Sequence, residues 1–209
     1  MKTLLIKRTL LIFLIALLIN SQGTAFSQTS QEHFDKGMYY FEHANWLLAA
    51  PEFQFALYED PQNVDAMYFS GVAYFRSGQK WIGINILHEV MEKFPDDTRA
   101  YYELAWTYGI GRGETKDRSQ GLRIALKLVE KNPSASSLDL LAKIYSVRGE
   151  PDNSLKTYDK VMKKDKSYIK KYQKYLKKFT NYYSGPINGL RNKQFEKALR
   201  KKIYEGDGL

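Results

Sequence analysis

The sequence predicts an all-α fold, an α–α superhelical solenoid of helical hairpins, and three observations predict it. Residue types coincide at a period of 34: Gly37 with Gly71, Tyr40 with Tyr74 and Tyr108, and Pro61 with Pro95. Each period holds two stretches of apolar residues at helical spacing. A proline closes the second stretch, where its ring and missing N–H end the hydrogen-bond ladder. A single helical hairpin has no way to bury both apolar faces, so the pattern requires neighbours stacked along one axis.

The first residues read as an address label. Lys2, Lys7 and Arg8 form a positive start, Thr9–Ile19 is an apolar run, and Ala25 and Ser27 offer small residues for cleavage before Gln28. A membrane anchor is the competing reading, but a spanning helix needs roughly 20 apolar residues and the run breaks at Asn20. Residues 1–27 are therefore expected to be a signal peptide, and the mature chain an exported, soluble, periplasmic or secreted protein. With no cysteine in the chain, there is no lipid-attachment thiol, disulfide or thiolate site.

The first repeat, about 30–63, pairs a helix over Gln31–His43, carrying Phe34, Met38 and Phe41, with one over Leu47–Tyr58, carrying Ala49, Phe53 and Ala56. Gly37 and Ala49 are small where the two helices must approach. The second repeat, about 64–97, has Met67, Gly71, Tyr74, Gly83, Leu87, Val90 and Pro95 in the same order. This pattern resembles the tetratricopeptide repeat (TPR), on Gly37, Tyr40, Trp46, Ala49, Phe53, Ala56 and Pro61 in the first repeat. His33, Gly83 and Val90 depart from the usual apolar or Ala residues without breaking the helix-pair logic.

The third repeat, about 98–134, closes at Pro133 rather than at Val129, where the period of Pro61 and Pro95 would end it, so four residues have been added. They fall in the glycine stretch 108–121. Leu104, Tyr108, Gly111, Gly113 and Asp117 resemble the Sel1-like variant of the repeat, while Ala105, Glu114 and Gly121 depart from it. A phosphate-cradling loop fails on context. A dinucleotide fingerprint needs a preceding strand and the Walker pattern needs Gly-Lys-Ser/Thr, whereas here a helix precedes and Lys116 is followed by Asp117. The glycines are expected to supply positive φ in a long turn.

The fourth repeat, about 135–165, reads Leu141, Ala142, Tyr145, Gly149, Ser154, Tyr158 and Val161, with Lys166 where the closing proline would stand. Residues 166–209 are a degenerate fifth repeat or capping helices. A helix over Lys166–Tyr183 carries an apolar stripe of Tyr168, Ile169, Tyr172, Tyr175, Leu176 and Phe179. Phe195 and Ala198 mark a partner helix.

No catalytic residue is assigned. The three histidines, His33, His43 and His88, lack metal-ligand spacing, so no metal or other cofactor is expected. Ser77 and Lys80 match a Ser–Lys nucleophile spacing but sit in an inter-helix turn, where serine and glycine are expected anyway. Acidic residues such as Glu52, Asp60 and Glu103 are expected to be solvated. The chain is expected not to be an enzyme and to take no small-molecule substrate.

Two features point to partners. The resemblance implies that the first helix of each repeat lines a concave groove. Its positions here are Phe34, Met38, Phe41 and Glu42 in the first repeat, and Asp65, Tyr68, Val72, Phe75 and Arg76 in the second. The third repeat contributes Arg99, Tyr102, Trp106 and Ile110, and the fourth the more polar Asp139, Lys143, Ser146 and Val147. Clustered aromatics bury large rigid area at low entropy cost, which suits capture of a protein segment. Phe34 and Met38 occupy positions where family members that clamp a C-terminal carboxylate have Lys and Asn. The second feature is charge. Residues 163–209 hold 14 Lys/Arg and 4 Asp/Glu, against 15 and 19 in residues 28–162. Lys170, Lys171, Lys174, Lys177 and Lys178 form a basic tail that almost no acid balances. The expected function is a non-catalytic scaffold or adaptor of the cell envelope. The alternative is association with an anionic surface, membrane or acidic protein, through the tail, with the repeats as a spacer; nucleic acid is not expected.

Overall fold

A computed structural model describes residues 29–205, and among these every regular element is helical. α1 covers residues 29–42. It is followed by α2 (Trp46–Glu59), α3 (Val64–Arg76), α4 (Lys80–Lys93), α5 (Arg99–Gly109) and α6 (Arg118–Lys131). α7 (Ala135–Val147), α8 (Pro151–Lys164), α9 (Ser167–Phe179) and α10 (Lys193–Tyr204) complete the order. The leader expected over residues 1–27 lies outside the described residues. The described residues divide into two compact units, one ending at Val90 and the other beginning at Met91.

In the N-terminal unit the absence of side chains sets how near the helices come. A Cβ at Gly37 would lie 2.7 Å from the ring of Phe53, which is fully buried. Removing that ring from water contributes about 1.5–3 kcal/mol. A Cβ at Gly83 would lie 2.5 Å from both the Gly71 carbonyl oxygen and the Phe75 nitrogen, so α3 and α4 touch backbone to backbone. Both turns after a first helix use a left-handed residue: Gly78 at φ +95 and, one period earlier, Ala44 at φ +56. Asn63 caps α3 by accepting from the Ala66 N–H at 2.9 Å.

In the C-terminal unit α5 and α6 cross as α3 and α4 do. A Cβ at Gly121 would collide with the Gly109 nitrogen. Gly109 stands one period after Phe75, whereas Gly121 stands one period and four positions after Gly83. The four added residues are thus taken up wholly by the loop 110–117, and the crossing point is unchanged. Asp117 ends that loop and caps α6, accepting from the Ser119 and Gln120 N–H groups at 3.0 and 2.9 Å. The loop is a turn between helices, as expected, but the glycines act differently. Only Gly113, at φ +88, has positive φ. Gly109 and Gly121 are there for close approach, and a Cβ at Gly111 would run into the Thr107 carbonyl oxygen.

α8, α9 and α10 enclose a core of Tyr158, Tyr172, Leu176, Phe195 and Leu199, with the Tyr158 and Tyr172 rings edge to face at 5.2 Å. α9 stops at Phe179, short of the Tyr183 end read from the sequence. Thr180 turns extended there, and its hydroxyl donates to the Leu176 carbonyl at 2.5 Å, satisfying a helix-end acceptor. The segment after it is anchored by Gln173, which is fully buried on the face expected to be apolar. Its Nε2 donates to the Leu190 carbonyl at 2.8 Å and its Oε1 accepts from the Gly189 N–H at 2.9 Å. Polarity is tolerated in that core because the amide is hydrogen-bonded at both ends.

Candidate partner-binding face

The residues expected to line a groove fall into two sets, one in each compact unit. In the N-terminal unit Phe34, Met38 and Phe41 are half-buried and pack around Phe53 and Phe69. The Phe34 ring lies 5.7 Å from Phe53, and the Phe41 ring 5.1 Å from Phe69 and 4.8 Å from Trp46. Arg76 lays its guanidinium over Trp46 at 4.9 Å and Phe41 at 5.5 Å. Phe34 and Phe41 therefore hold α1 and α2 against α3 as well as edging the face. Tyr68 and Phe75 are also half-buried, with Tyr68 5.2 Å from Phe69.

In the C-terminal unit the exposed rings of the expected set stand on α5: Tyr102 at 37% and Trp106 at 44%. Arg99, at the start of the same helix, is drawn back by Asp97. Its Nε lies 3.0 Å from both carboxylate oxygens of Asp97 and its Nη2 2.5 Å from one. Burial pushes the Asp97 carboxyl up, but the bonds from Arg99 outweigh it and hold the group below the ordinary aspartate range.

The polar centre of this unit is Asp139 on α7, a buried carboxylate with both oxygens engaged. Oδ1 accepts from the Tyr172 hydroxyl at 2.7 Å, and Oδ2 receives Lys171 at 3.0 Å and Lys143 at 3.1 Å. Burial, and then Asp139, push the Tyr172 hydroxyl far above the ordinary tyrosine range. Tyr102 is raised by the same two causes, with Lys171 opposing, so its ring sits within the field of this cluster. Lys171 also covers the Tyr168 ring at 4.3 Å. Ser146, further along α7, has a buried hydroxyl with no hydrogen-bond partner among the described residues.

Of the five tail lysines, one has an acid among the described residues. Lys171 has Asp139, which lies far from it in the chain. Lys177 donates to the Gly185 carbonyl at 3.2 Å, and Lys178 sits 5.1 Å over the Phe179 ring. Lys170 and Lys174 have no ion pair or hydrogen bond among the described residues. The apolar stripe on α9 also divides. Ile169, Tyr172 and Leu176 are buried, whereas Phe179 is 63% exposed.

Glu52 is the clearest departure among the acids expected to be solvated. It is buried in α2, with Lys36 Nζ at 2.6 Å and His33 Nδ1 at 2.8 Å, both from α1. Burial raises its pKa, but the bonds from Lys36 and His33 win and hold it below the ordinary glutamate range. His33, which departs from the repeat pattern, thus has a structural task. Ser77, the other suspect position, donates its hydroxyl to the Tyr74 carbonyl at 2.9 Å, as a helix-end residue does.

One exposed feature escaped the sequence reading. On α2, Leu47, Leu48, Phe55 and Tyr58 are exposed, and on α4 so are Trp81 and Ile82. Leu47 corresponds to Trp81, and Leu48 to Ile82, at the repeat period. Overlaying the first two repeats would have found them, since each pair keeps an apolar residue at a position beside the buried stripe.

Helical hairpins recurring at one period define the class: the fold is that of the tetratricopeptide-type solenoids. Among solved structures, a crystal structure of MamA protein matches with a TM-score of 0.62 at 22% identity, over 84% of this chain and 92% of that one. YrrB, described as a TPR protein with an unusual peptide-binding site, matches with a TM-score of 0.56 at 17% identity, over 74% of this chain and 84% of that one. A thermophilic TPR protein of Thermus thermophilus, TTC0263, matches with a TM-score of 0.56 at 17% identity, over 69% of this chain and 80% of that one. No family model matches the chain, and no curated protein matches its sequence.

Proposed function

We propose that the chain is a non-catalytic interaction module that holds a segment of a partner protein against the first-helix face of its repeats. The observation that carries this reading is the exposure of Tyr102 and Trp106, at 37% and 44%, one turn apart on α5, with Tyr102 in the field of the Asp139 cluster. Large rings left in water on a rigid helix are the residue types that anchor interfaces. The peptide-binding site in the printed description of YrrB, a protein of the same fold, supports it as analogy. The Sel1-like character of the third repeat rests on its sequence pattern. The leader pattern of residues 1–27 supports a place in the cell envelope.

The test is in-cell crosslinking followed by capture and mass spectrometry, comparing wild type with the Tyr102→Ala/Trp106→Ala double variant. A discrete protein captured by wild type and lost from the double variant, with its helical circular dichroism intact, supports the reading. Equal capture by both proteins overturns it. A truncation at Lys163 is unsuited to separating face from tail, because Tyr172, Leu176, Phe195 and Leu199 belong to the core of the C-terminal unit.

A further inference from the structure

We propose that the outer stripe of α9 is a docking site for an acidic amphipathic segment of a partner protein. The inference rests on the protein-binding reading and adds the chemistry of the segment.

The stripe is built by helical spacing. Lys170, Lys171, Lys174, Tyr175, Lys178 and Phe179 line one open cleft on the surface of α9, which begins at Ser167. A helix rises about 1.5 Å per residue, which makes the cleft roughly 18 Å long. The opposite face of the helix is fixed: Ile169, Tyr172 and Leu176 lie in the core and Gln173 ties down the following loop. Side chains mounted on so firmly held a helix are presented at set positions.

Charge decides what fits. α9 contains five lysines and no acid (SYIKKYQKYLKKF). Lys171 pairs with the buried Asp139, whose carboxylate is already shared with Lys143 and hydrogen-bonded by Tyr172. Lys170 and Lys174 have no ion pair or hydrogen bond among the described residues, so the cleft carries uncompensated positive charge. A complementary ligand must bring carboxylates.

The cleft also has an apolar floor. The Tyr175 and Phe179 rings lie 5.1 Å apart, and Phe179 is 63% exposed. Lysines at 170, 174 and 178 therefore flank rings at 175 and 179. A helix with Glu on one edge and Leu or Phe at the next, recurring every three or four residues, matches both. A lipid surface matches the lysines alone. An interfacial helix binds by burying its apolar face in the bilayer, and the apolar face of α9 is committed to the protein core.

The probe is a fluorescein-labelled peptide of about 14 residues, enough to cover the cleft as a helix, with Glu on one face and Leu and Phe on the other. A counterpart carries Gln for Glu. Binding to the full chain by fluorescence anisotropy is expected for the Glu peptide and about tenfold or more weaker for the Gln peptide. The Lys170→Glu/Lys174→Glu/Lys178→Glu variant is expected to lose about the same factor, and added salt to weaken the wild-type complex. If the reversed variant fails to fold, Lys170→Gln/Lys174→Gln/Lys178→Gln reads the same effect. Equal binding of both peptides, or an unchanged affinity in the lysine variants, overturns the proposal. So does a result in which only phosphatidylglycerol vesicles bind, which would make the stripe a lipid contact. If in-cell capture is lost with Tyr102→Ala/Trp106→Ala yet retained in the lysine variants, this inference falls while the protein-binding reading stands.

Discussion

The Tyr172 hydroxyl donates to Asp139 Oδ1 at 2.7 Å, while Lys143 and Lys171 share the other oxygen of that carboxylate. One buried acid therefore fastens α9 to α7, and its cluster acts on the Tyr102 ring of α5. Its placement joins the packing of the unit to the chemistry of its face.

That junction has a measurable weight. Tyr172→Phe keeps the ring in the core and deletes a bond to a charged acceptor, which costs about 1.5–3 kcal/mol. The urea midpoint of Tyr172→Phe is expected to fall with an unchanged slope. A midpoint equal to wild type would show that the hydroxyl carries no weight.

The Glu52 cluster makes the N-terminal unit sensitive to acid. Its carboxyl is held below the ordinary glutamate range by Lys36 and His33. Its contribution is fully present above the unfolded-chain value of about 4.3 and is lost as pH falls through the depressed pKa. Glu52→Gln is expected to flatten this acid limb and to loosen α1, which supplies both His33 and Lys36. Thermal melts across the acid range check it. If wild type and Glu52→Gln lose stability in parallel on acidification, the linkage is absent.

Ser146 tests the opposite sign. Its hydroxyl is buried without a partner among the described residues, and such a group is costly by about 1–3 kcal/mol. Ser146→Ala removes it while keeping the Cβ, so a raised melting temperature is expected. A lower one would mean that the hydroxyl is satisfied in solution.

The repeats were legible because their signals are local. Period, closing prolines and helical spacing all survive in one dimension, and the helices of the first two repeats fall where those signals put them. What was not legible depends on residues distant in the chain. Glu52 reads as an ordinary surface acid until α1 brings His33 and Lys36 to it. Asp139 balances Lys171 only because α7 and α9 lie together. Gln173 interrupts an apolar stripe for the sake of a loop that the sequence leaves without pattern. Phe34 and Phe41 look free on a helical wheel, and are half covered because α3 offers Phe69 against them.

The glycines separate two physical roles that a sequence motif merges. Gly121→Val places a side chain against the α5 backbone and is expected to destabilise by about 1–3 kcal/mol or more, as overpacking does. Gly113 has positive φ and open space around its missing Cβ. Gly113→Asn, which brings in a residue that tolerates that φ, is expected to cost under about 1 kcal/mol. Chemical denaturation of both variants is the check, and equal losses would contradict this division of roles.

The loop 110–117 absorbs four residues without moving the crossing of α5 and α6, and it presents Arg112, Glu114 and Lys116 to solvent. It is consequently the place where foreign sequence can enter at least cost. A short epitope or a dye-bearing cysteine, unique in this cysteine-free chain, would sit there as a reporter without disturbing either helix.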